Sequence, residues 1–429
     1  MYDLAIIGSG PAGYSAAFEA IRHKMSVILF ERDLLGGTCL NRGCVPTKYL
    51  LHVARKYYEA ERNNDGIEFQ SIKLDYTKTK MQEIIKGLRY GLDNNLRKSG
   101  VKLILGDANL KSQNVINCDG IDYSAKNIII ATGTIPGSPI IKSGKSSSDI
   151  LNLDFVPKKL HIVGGGSISV EFAEIFKMFG SDVRISIRGD RILRTWDKEL
   201  SVGLTQSLKK MGVQINKECN IEALQLSTDE IILSATGRNP LIPKAASSFF
   251  DIGEKGGIIV DHNFQTKSET IFAAGDVIEG SCQLAHAAMD QGRQIVRYIS
   301  DKKSIKEKSV PKCIYVNQEI ASVGITEEEA KSSNLNYIMA KMPMFSNART
   351  LISTNERGFV KVIASKDKKK ILGAQLMCEN AGEIISEFTM ALDYNMTIDD
   401  MLFSVRPHPS YCEVIHEVLE ALQEKANAV

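Results

Sequence analysis

The stretch DLAIIGSGPAG, from Asp3 to Gly13, decides how this chain of 429 residues begins to fold. Its apolar run leads directly into Gly8, Gly10 and Gly13, and a second apolar run, SVILFE, ends at Glu31. A G-x-G-x-x-G turn between a strand and a helix, with an acid about 20 residues further on, is a dinucleotide-binding fingerprint. The glycines let the backbone approach a pyrophosphate, and the acid accepts the hydroxyl groups of a ribose. The sequence therefore predicts a parallel α/β unit that holds a nucleotide through these four residues.

A second unit of the same kind follows at LHIVGGGSISVEFAEIF, where Gly164, Gly166 and Ser169 occupy the turn. Gly8 and Gly164 are 156 residues apart, so the chain contains an internal repeat. Two such turns predict two dinucleotide sites in one chain.

A pair of cysteines, Cys39 and Cys44, lies in GGTCLNRGCVPTK (residues 36–48), directly after the first unit. Two thiols at this spacing can carry two electrons as a disulfide, and hydride chemistry requires cofactors that side chains cannot replace. Cys44 is expected to begin a helix, whose partial positive charge lowers a thiol pKa. The C-x4-C spacing also occurs in metal sites, but no second pair of ligands follows nearby, so we predict a redox pair and no metal. Five of the other cysteines are predicted to be buried and unreactive: Cys118, Cys219, Cys282, Cys313 and Cys378.

The composition is ordinary for a globular protein, with 43% hydrophobic and 24% charged residues. A net charge of +2 does not indicate a nucleic-acid or acidic-membrane partner. No apolar run approaches the roughly 18 residues of a membrane span. The chain enters a strand directly after Met1, so we expect no signal peptide and a cytoplasmic location.

Changes in pattern along the chain divide it into four parts. We predict a first nucleotide-binding domain over residues 1–152, a shortened second one over 153–238, a central segment over 239–309 that completes the first, and an α+β domain over 310–429. Residues 142–148, KSGKSSS, are predicted to be a polar linker. An amphipathic helix is expected over residues 76–99.

These motifs together resemble the flavin-dependent pyridine nucleotide–disulfide oxidoreductases over essentially the whole chain, and among them the dihydrolipoamide dehydrogenases. The segments that carry the resemblance are GGTCLNRGCVPTK, ATGTIPGSP, the second glycine turn, ATGRNP, IFAAGDV, EIASVGITEEEA, NAGEIISE and HPSYCEVIHE. The resemblance implies two Rossmann-like domains, for FAD and for NAD(P), and a C-terminal α+β dimerisation domain. It implies a homodimer.

The resemblance also implies roles for individual residues. Cys44 is the sulfur that faces the flavin, and Cys39 exchanges with the dithiol substrate. Glu31 holds the FAD adenosine ribose and Asp276 the ribityl chain. The remaining cofactor contacts that it implies are Gly37, Thr38, Thr132, Gly133, Gly275 and Gly237.

Two charged pairs complete the predicted catalytic set. Lys48 lies four residues after Cys44, and the resemblance pairs it with Glu171; an ordinary surface ion pair is the alternative. His408 is the candidate general acid/base, with Glu413 to orient its ring. In the family this histidine reaches the cysteines of the opposite subunit. Cys412 is interpreted as a small packed residue.

The second unit departs from the dihydrolipoamide dehydrogenases at the residue 21 positions beyond Gly166, which is Ile187 where an acid is expected. Arg188 and Arg194 follow, and IRGDRILR resembles the NADP-specific turn of glutathione and trypanothione reductases. Two guanidinium groups can bind a 2′-phosphate. We therefore favour NADP(H) over NAD(H), with two solvated arginines as the alternative.

The sequence thus predicts a homodimeric FAD enzyme that oxidises dihydrolipoyl groups through Cys39 and Cys44 and reduces NAD(P). An NADPH-dependent reductase of a small disulfide such as glutathione is the alternative. A third possibility is a docking component of a multienzyme complex, against which the retained catalytic residues argue.

Overall fold

A computed structural model of the protein describes residues 1–62, 73–224, 227–244, 248–353 and 357–428. Its mixed α/β architecture confirms the predicted fold class. The boundaries proposed for the four domains remain predictions.

The first part of the chain forms a central sheet with helices packed against it. Its elements are β1 (Tyr2–Ile7), α1 (Pro11–Arg22), β2 (Val27–Glu31), α2 (Gly37–Arg42), α3 (Cys44–Arg62), α4 (Leu74–Lys98), β3 (Lys102–Leu105), β4 (Ala108–Ser112), β5 (Val115–Cys118), β6 (Ile121–Ile130), β7 (Thr134–Pro136) and α5 (Ser147–Leu151). The strand order is β3-β2-β1-β6-β5-β4, and β1 is parallel to both β2 and β6. Because β1 is central, residues Leu4 to Ile7 are buried and the turn that follows opens at the carboxyl edge of the sheet.

The polar linker predicted over residues 142–148 ends in a helix instead. Ser146 accepts a hydrogen bond from the backbone N–H of Asp149, whose side chain accepts from Ser146 in return. This capping box starts α5 at Ser147. A stretch rich in serine therefore contains a helix cap that composition alone does not distinguish from a linker.

The second glycine turn belongs to a separate parallel sheet. Its elements are β8 (Lys159–Val163), α6 (Ser167–Met178), β9 (Asp182–Ser186), α7 (Lys198–Lys210), β10 (Gln214–Asn216), a 3-10 turn (Ile221–Ala223), β11 (Ile231–Ser234) and β12 (Arg238–Pro240). The order is β10-β9-β8-β11. Between β10 and β11 the described residues form the 3-10 turn and no further strand, in agreement with a shortened unit.

The chain then returns to the first sheet. Strand β13 (Ile271–Ala273) pairs with β6 in parallel, a 3-10 turn (Gly275–Val277) follows, and α8 (Ala285–Asp301) packs on α1. A Cβ atom at Gly292 would lie 2.3 Å from the carbonyl oxygen of Ala12, so this close helix crossing requires glycine. The short antiparallel pair of β7 and β12 links the two sheets.

The last part is an antiparallel sheet of order β14-β15-β18-β17-β16 covered by helices. Its elements are β14 (Lys312–Ile314), β15 (Ile320–Gly324), α9 (Glu327–Ser332), β16 (Tyr337–Pro343), a 3-10 turn (Met344–Ser346), α10 (Ala348–Ser353), β17 (Phe359–Ser365), β18 (Ile371–Met377), α11 (Ala381–Asp393), α12 (Ile398–Leu402) and α13 (Glu413–Asn427). Helices α11 and α13 pack against this sheet.

Candidate redox and dinucleotide-binding site

One cleft of about 1730 Å³ brings together both glycine turns and the cysteine pair. The predicted site residues that line it are Gly8, Gly10, Glu31, Gly37, Thr38, Cys39, Cys44, Lys48, Thr132, Gly133, Gly164, Gly166, Glu171, Arg188, Arg194, Gly237, Gly275 and Asp276. Gly13 and Ser169 lie behind the two turns. A Cβ at Gly13 would come 1.8 Å from the Gly8 carbonyl oxygen, and Ser169 is fully buried.

The first turn has the geometry that a bound pyrophosphate requires. Gly8 has a φ of +104°, and a Cβ there would lie 2.4 Å from the Ala131 carbonyl oxygen. A Cβ at Gly10 would meet no atom within 4 Å, so the space before the turn is open to a ligand. Glu31 is held at the end of β2, where its carboxylate accepts hydrogen bonds from the backbone N–H of Ser9 (3.0 Å) and of Asp33 (2.8 Å). These residues fit a dinucleotide such as FAD.

The cysteine pair lies where α2 ends and α3 begins, and Cys44 is the first residue of α3. Interaction with the Cys39 thiol, together with the nearby Lys48 ammonium, lowers the pKa of Cys44 to about 7. Interaction with Cys44 and burial raise the pKa of Cys39. Cys44 is thus the thiol that ionises near neutrality, because its partner stabilises the thiolate.

The two cysteines differ in exposure. Cys44 is exposed in the cleft, whereas Cys39 is half-buried. Exposure therefore does not identify Cys39 as the sulfur that exchanges with a substrate. The roles of the two sulfurs therefore remain a prediction.

Lys48 reaches from α3 to α6, where its Nζ lies 2.7 Å from Oε1 and 2.8 Å from Oε2 of Glu171. It also lies 4.8 Å from the ring centroid of Tyr315, whose backbone N–H donates to Glu171 at 3.1 Å. Glu171 is only 7% exposed. The structure brings the predicted pair together beside the cysteines in a partly buried contact, in which the carboxylate is buried and the ammonium is about a third exposed.

A half-buried carboxyl, Asp276, also lines the cleft. Burial raises the pKa of Asp276, while the nearby Arg238 guanidinium opposes that shift. Arg238 donates to the hydroxyl and the carbonyl of Thr134, both at 2.8 Å, across the pair of β7 and β12. The backbone N–H of Gly275 donates to the side chain of Gln291 on α8 at 2.8 Å. These contacts fix the turn that presents Asp276.

The two glycine turns make equivalent backbone hydrogen bonds to the end of the neighbouring strand. Gly8 N–H donates to the Phe30 carbonyl at 2.8 Å, and Gly164 N–H donates to the Ser186 carbonyl at 3.0 Å. The residue after Phe30 is Glu31, and the residue after Ser186 is Ile187, which is buried. The acid position of the second unit is therefore occupied by isoleucine.

The arginine loop, residues 187–197, connects β9 to α7 and is firmly attached to its surroundings. Leu193 N–H donates to the Gly165 carbonyl at 2.7 Å, and Arg191 pairs with Glu328 of α9 at 2.9 Å. Among the described residues no hydrogen-bond or ion-pair partner faces the exposed guanidinium of Arg194, whereas Arg188 pairs with Glu222 at 3.2 Å. The two predicted arginines therefore differ, because Arg188 has an acidic partner and Arg194 has none among the described residues.

His408 and Glu413 form a close pair that does not line this cleft. His408 Nδ1 lies 2.7 Å from Glu413 Oε1, and the second carboxylate oxygen accepts from the backbone N–H of Ser410 at 2.7 Å. Both hydrogen bonds lower the pKa of Glu413. The His408 side chain is 74% exposed. The sulfur of Cys412 lies 3.1 Å from the Ser410 hydroxyl and packs partly against the adjacent core.

The prediction that the five other cysteines are all buried is wrong for three of them. Cys282 is exposed, Cys219 and Cys313 are half-buried, and Cys282 and Cys313 line the cleft. Burial raises the pKa of Cys313 to about 11, so it is a neutral thiol. Sequence reasoning also missed Tyr14, whose pKa burial raises to about 12 with a further contribution from the nearby cysteine pair. These residues come from distant parts of the chain and share no local motif.

Two features are absent from the described part of the chain. No group of three or more His, Cys, Asp or Glu side chains is arranged to hold a metal ion. None of the helices there is long and apolar enough to cross a membrane.

Comparison with known proteins agrees with this geometry. Residues 2–292 match the pyridine nucleotide-disulphide oxidoreductase family, and residues 310–419 match the dimerisation domain of the same family. The chain belongs to this family. Its members are flavoprotein oxidoreductases that act on disulfides or dithiols, and this chain is one of them.

Similar members of the family come from plants and bacteria. The chain is 33% identical to the mitochondrial dihydrolipoyl dehydrogenase of Pisum sativum, with 99% of this chain and 92% of the relative covered. It is 32% identical to the dihydrolipoyl dehydrogenase of Mycoplasma genitalium, with 97% of each covered, and 32% identical to the leghemoglobin reductase of Glycine max, with 99% and 88% covered.

Solved structures of this oxidoreductase family have the same fold. The HOCl-induced flavoprotein disulfide reductase RclA from Escherichia coli matches with a TM-score of 0.88 and 26% identity, covering 98% of this chain and 99% of that one. LpdA from Mycobacterium tuberculosis matches with a TM-score of 0.90 at 23% identity over 98% and 99%, a likeness of fold alone.

Proposed function

We propose that this oxidoreductase is a dihydrolipoamide dehydrogenase-like enzyme that oxidises dihydrolipoyl groups through Cys39 and Cys44 and FAD, and reduces NADP in preference to NAD. The observation that carries the proposal is the position of Cys39 and Cys44, at the start of α3 and in the same cleft as both glycine turns. The names of the plant and Mycoplasma relatives support the choice of substrate. The arginine loop without an acid at Ile187 supports the choice of coenzyme.

FAD fits the first half of the cleft. Gly8, Gly10 and Gly13 would approach its pyrophosphate, Glu31 its adenosine ribose and Asp276 its ribityl chain, with Gly37, Thr38, Thr132, Gly133 and Gly275 alongside. When bound, FAD supplies a two-electron acceptor that can pass hydride to a nicotinamide. Lys48, fixed by Glu171, places a positive charge beside the cysteine pair. Gly164, Gly166, Ser169 and Gly237 would form the nicotinamide-nucleotide site together with Arg188 and Arg194.

The oxidised cysteine pair accepts two electrons from the substrate dithiol in two exchange steps. The first substrate thiolate attacks Sγ of Cys39, so that a mixed disulfide forms and the Cys39–Cys44 bond breaks. Cys44 leaves as the thiolate, which its low pKa favours. The second substrate thiolate then attacks the substrate sulfur of the mixed disulfide and closes the cyclic lipoyl disulfide. Cys39 leaves as a thiolate and takes up the proton lost by the second substrate thiol. One disulfide has formed in the substrate and one has been reduced in the enzyme.

The two substrate thiols must lose protons for these attacks. We propose that the partner subunit's His408 accepts the first, with Glu413 fixing the ring so that Nε2 is the free base. This assignment requires a homodimer, for which the dimerisation-domain match is the supporting observation. His408 lies outside its own cleft and is mostly exposed, as a residue that serves another subunit would be. A cytoplasmic location is part of the same proposal.

A second candidate function is an NADPH-driven reductase of a small disulfide, which the arginine loop and the similarity to RclA favour. The deciding experiment is dihydrolipoamide-dependent reduction of NADP and of NAD, side by side, by the purified flavoprotein. We expect activity with both and a higher kcat/KM with NADP. A higher value with NAD would remove the coenzyme preference and keep the substrate. Inactivity with both, together with NADPH-dependent reduction of glutathione disulfide or a similar compound, would replace the proposal with the second candidate.

A further inference from the structure

The carboxylate of Glu222 lies against the arginine loop. Its Oε1 is 3.2 Å from the Arg188 guanidinium, and both side chains are about two-thirds exposed. An exposed ion pair of this kind contributes little to stability. Its position in the dinucleotide unit places it where the coenzyme ribose is expected, because Arg188 directly follows the residue at which a ribose-binding acid is expected.

The segment that carries Glu222 is bound to the arginine loop by its backbone. Beyond the last pairing of β10 with β9, Ile187 N–H donates to the Asn216 carbonyl at 3.0 Å, Glu218 N–H to the Gly189 carbonyl at 3.0 Å and Cys219 N–H to the Ile187 carbonyl at 2.9 Å. The segment therefore follows the loop residue by residue. Glu222 does not reach Arg188 by chance rotation of a distant side chain.

Apolar contacts fix the next few residues. Ile221 is 2% exposed and packs with Val163, the last residue of β8, and with Ile232 in β11. Ile221 also lines the cleft. With Ile221 anchored in the core, the neighbouring Glu222 is presented at the rim of the cleft beside Arg188.

The end of β9 lacks the carboxylate that the end of β2 has in the first unit. In the first unit Glu31 is the acid at the strand end, and the equivalent residue of the second unit is Ile187, which is buried and apolar. An adenosine ribose bound at the second turn lies next to this strand end in dinucleotide-binding folds. Without another acid, its 2′-hydroxyl would lack a carboxylate acceptor.

We propose that Glu222 is a coenzyme-selecting residue. It supplies from the segment after β10 the carboxylate that the end of β9 lacks, accepting the 2′-hydroxyl of NAD(H), and it binds Arg188 when no 2′-phosphate is present. A 2′-phosphate must displace Glu222 from Arg188 and tolerate its negative charge, whereas Arg194 stays available. Glu222 thereby limits the preference for NADP(H) and keeps NAD(H) a usable coenzyme.

The inference deepens the proposed function at the nicotinamide-nucleotide site, and its test avoids the dithiol reaction. We would titrate the FAD-loaded wild type and Glu222→Gln with 2′,5′-ADP and with 5′-AMP by calorimetry. Glu222→Gln should raise the ratio of the two affinities in favour of 2′,5′-ADP by about fivefold, as expected for one nearby charge at an exposed site. The gain should be smaller in an Arg188→Gln background, because that variant has no guanidinium to release.

Glu218→Gln is the matched control. It removes one exposed negative charge from the same segment without touching Arg188, so its affinity ratio should equal that of the wild type. An unchanged ratio in Glu222→Gln, or an equal change in both variants, would overturn the proposal. Failure of the dihydrolipoamide assay would leave this result intact, since neither nucleotide fragment takes part in dithiol exchange.

Discussion

Lys48 and Glu171 join the helix of the redox cysteines to the helix of the second glycine turn, with Nζ within 2.8 Å of both carboxylate oxygens. Through this contact, two parts of the chain that are distant in sequence line the same cleft. It also fixes a cation beside Cys44, where it favours the thiolate.

Replacing Lys48 with Met should therefore raise the pKa of Cys44 above its value of about 7. In the reduced enzyme the rate of alkylation by iodoacetamide follows the thiolate fraction. Near pH 7 we expect that rate to fall roughly threefold, and at a pH well above the pKa it should be unchanged. Lys56→Met, on an exposed position of the same helix, serves as the control and should leave the profile unaltered. A profile identical to the wild type in Lys48→Met would contradict the electrostatic role.

Replacing Cys44 or Cys39 with Ser should lower dithiol turnover by at least about a thousandfold, because neither variant can form the disulfide that accepts the electrons. The measurement is dihydrolipoamide oxidation together with the flavin absorbance of the purified protein, which should persist. Cys282→Ser removes a thiol from the same cleft outside the pair and should retain full activity. Loss of activity in that control would show that the reaction needs a thiol besides Cys39 and Cys44.

Replacing His408 with Ala should lower dithiol turnover by about a hundredfold to ten-thousandfold, the range of a general acid/base. Reduction of an artificial electron acceptor by the reduced nicotinamide nucleotide should continue, because it needs no dithiol exchange. His416→Ala is the control, since that side chain pairs with Glu420 on the same helix and with no other charged side chain of the described residues.

Mixing the subunits tests whether His408 acts across a dimer. Mixed dimers of Cys44→Ser and His408→Ala subunits contain one intact pair of cysteines facing one intact histidine. Random exchange of the two inactive proteins should restore about a quarter of wild-type activity. Mixtures that stay inactive after demonstrated subunit exchange would place the histidine's action within one chain.

Removal of the buried ammonium of Lys361 should lower the free energy of unfolding strongly. It is 1% exposed and lies 2.7 Å from Asp197, 3.0 Å from Glu199 and 3.4 Å from Glu327. Lys361→Met leaves Asp197, also 1% exposed, as an uncompensated buried charge, and we expect a loss of about 3–5 kcal/mol in the free energy of unfolding in urea. Lys341→Met breaks an exposed contact to Glu199 and should cost less than about 1 kcal/mol. Equal losses in the two variants would contradict this reading.

Local sequence patterns predicted those parts of the site whose geometry is determined by a few residues close together in sequence. The first turn from Gly8 to Gly13, the acid at Glu31 and the start of α3 at Cys44 depend on short-range geometry. The pairing of Lys48 with Glu171 came from the family resemblance, since nothing near either residue in sequence identifies the other.

The remaining parts depend on contacts between segments far apart in sequence. Glu222 meets Arg188 only because the shortened segment after β10 continues along the arginine loop. Cys313 enters the cleft from β14, which is far from the cysteine pair in sequence. Lys361 looks like an ordinary charged residue of a strand, and its carboxylate partners come from two other elements. Periodicity carries no information about such partners.

The pairing of β13 with β6 has a consequence for biosynthesis. The first sheet receives its last parallel strand at residues 271–273, after the whole second sheet has been translated. A nascent chain therefore has to hold an unfilled edge at β6 until the ribosome has passed residue 273, while β8 to β11 can already assemble. Truncation before that point would expose an apolar strand edge. During synthesis we expect a chaperone to bind at this edge, because its backbone groups are unpaired.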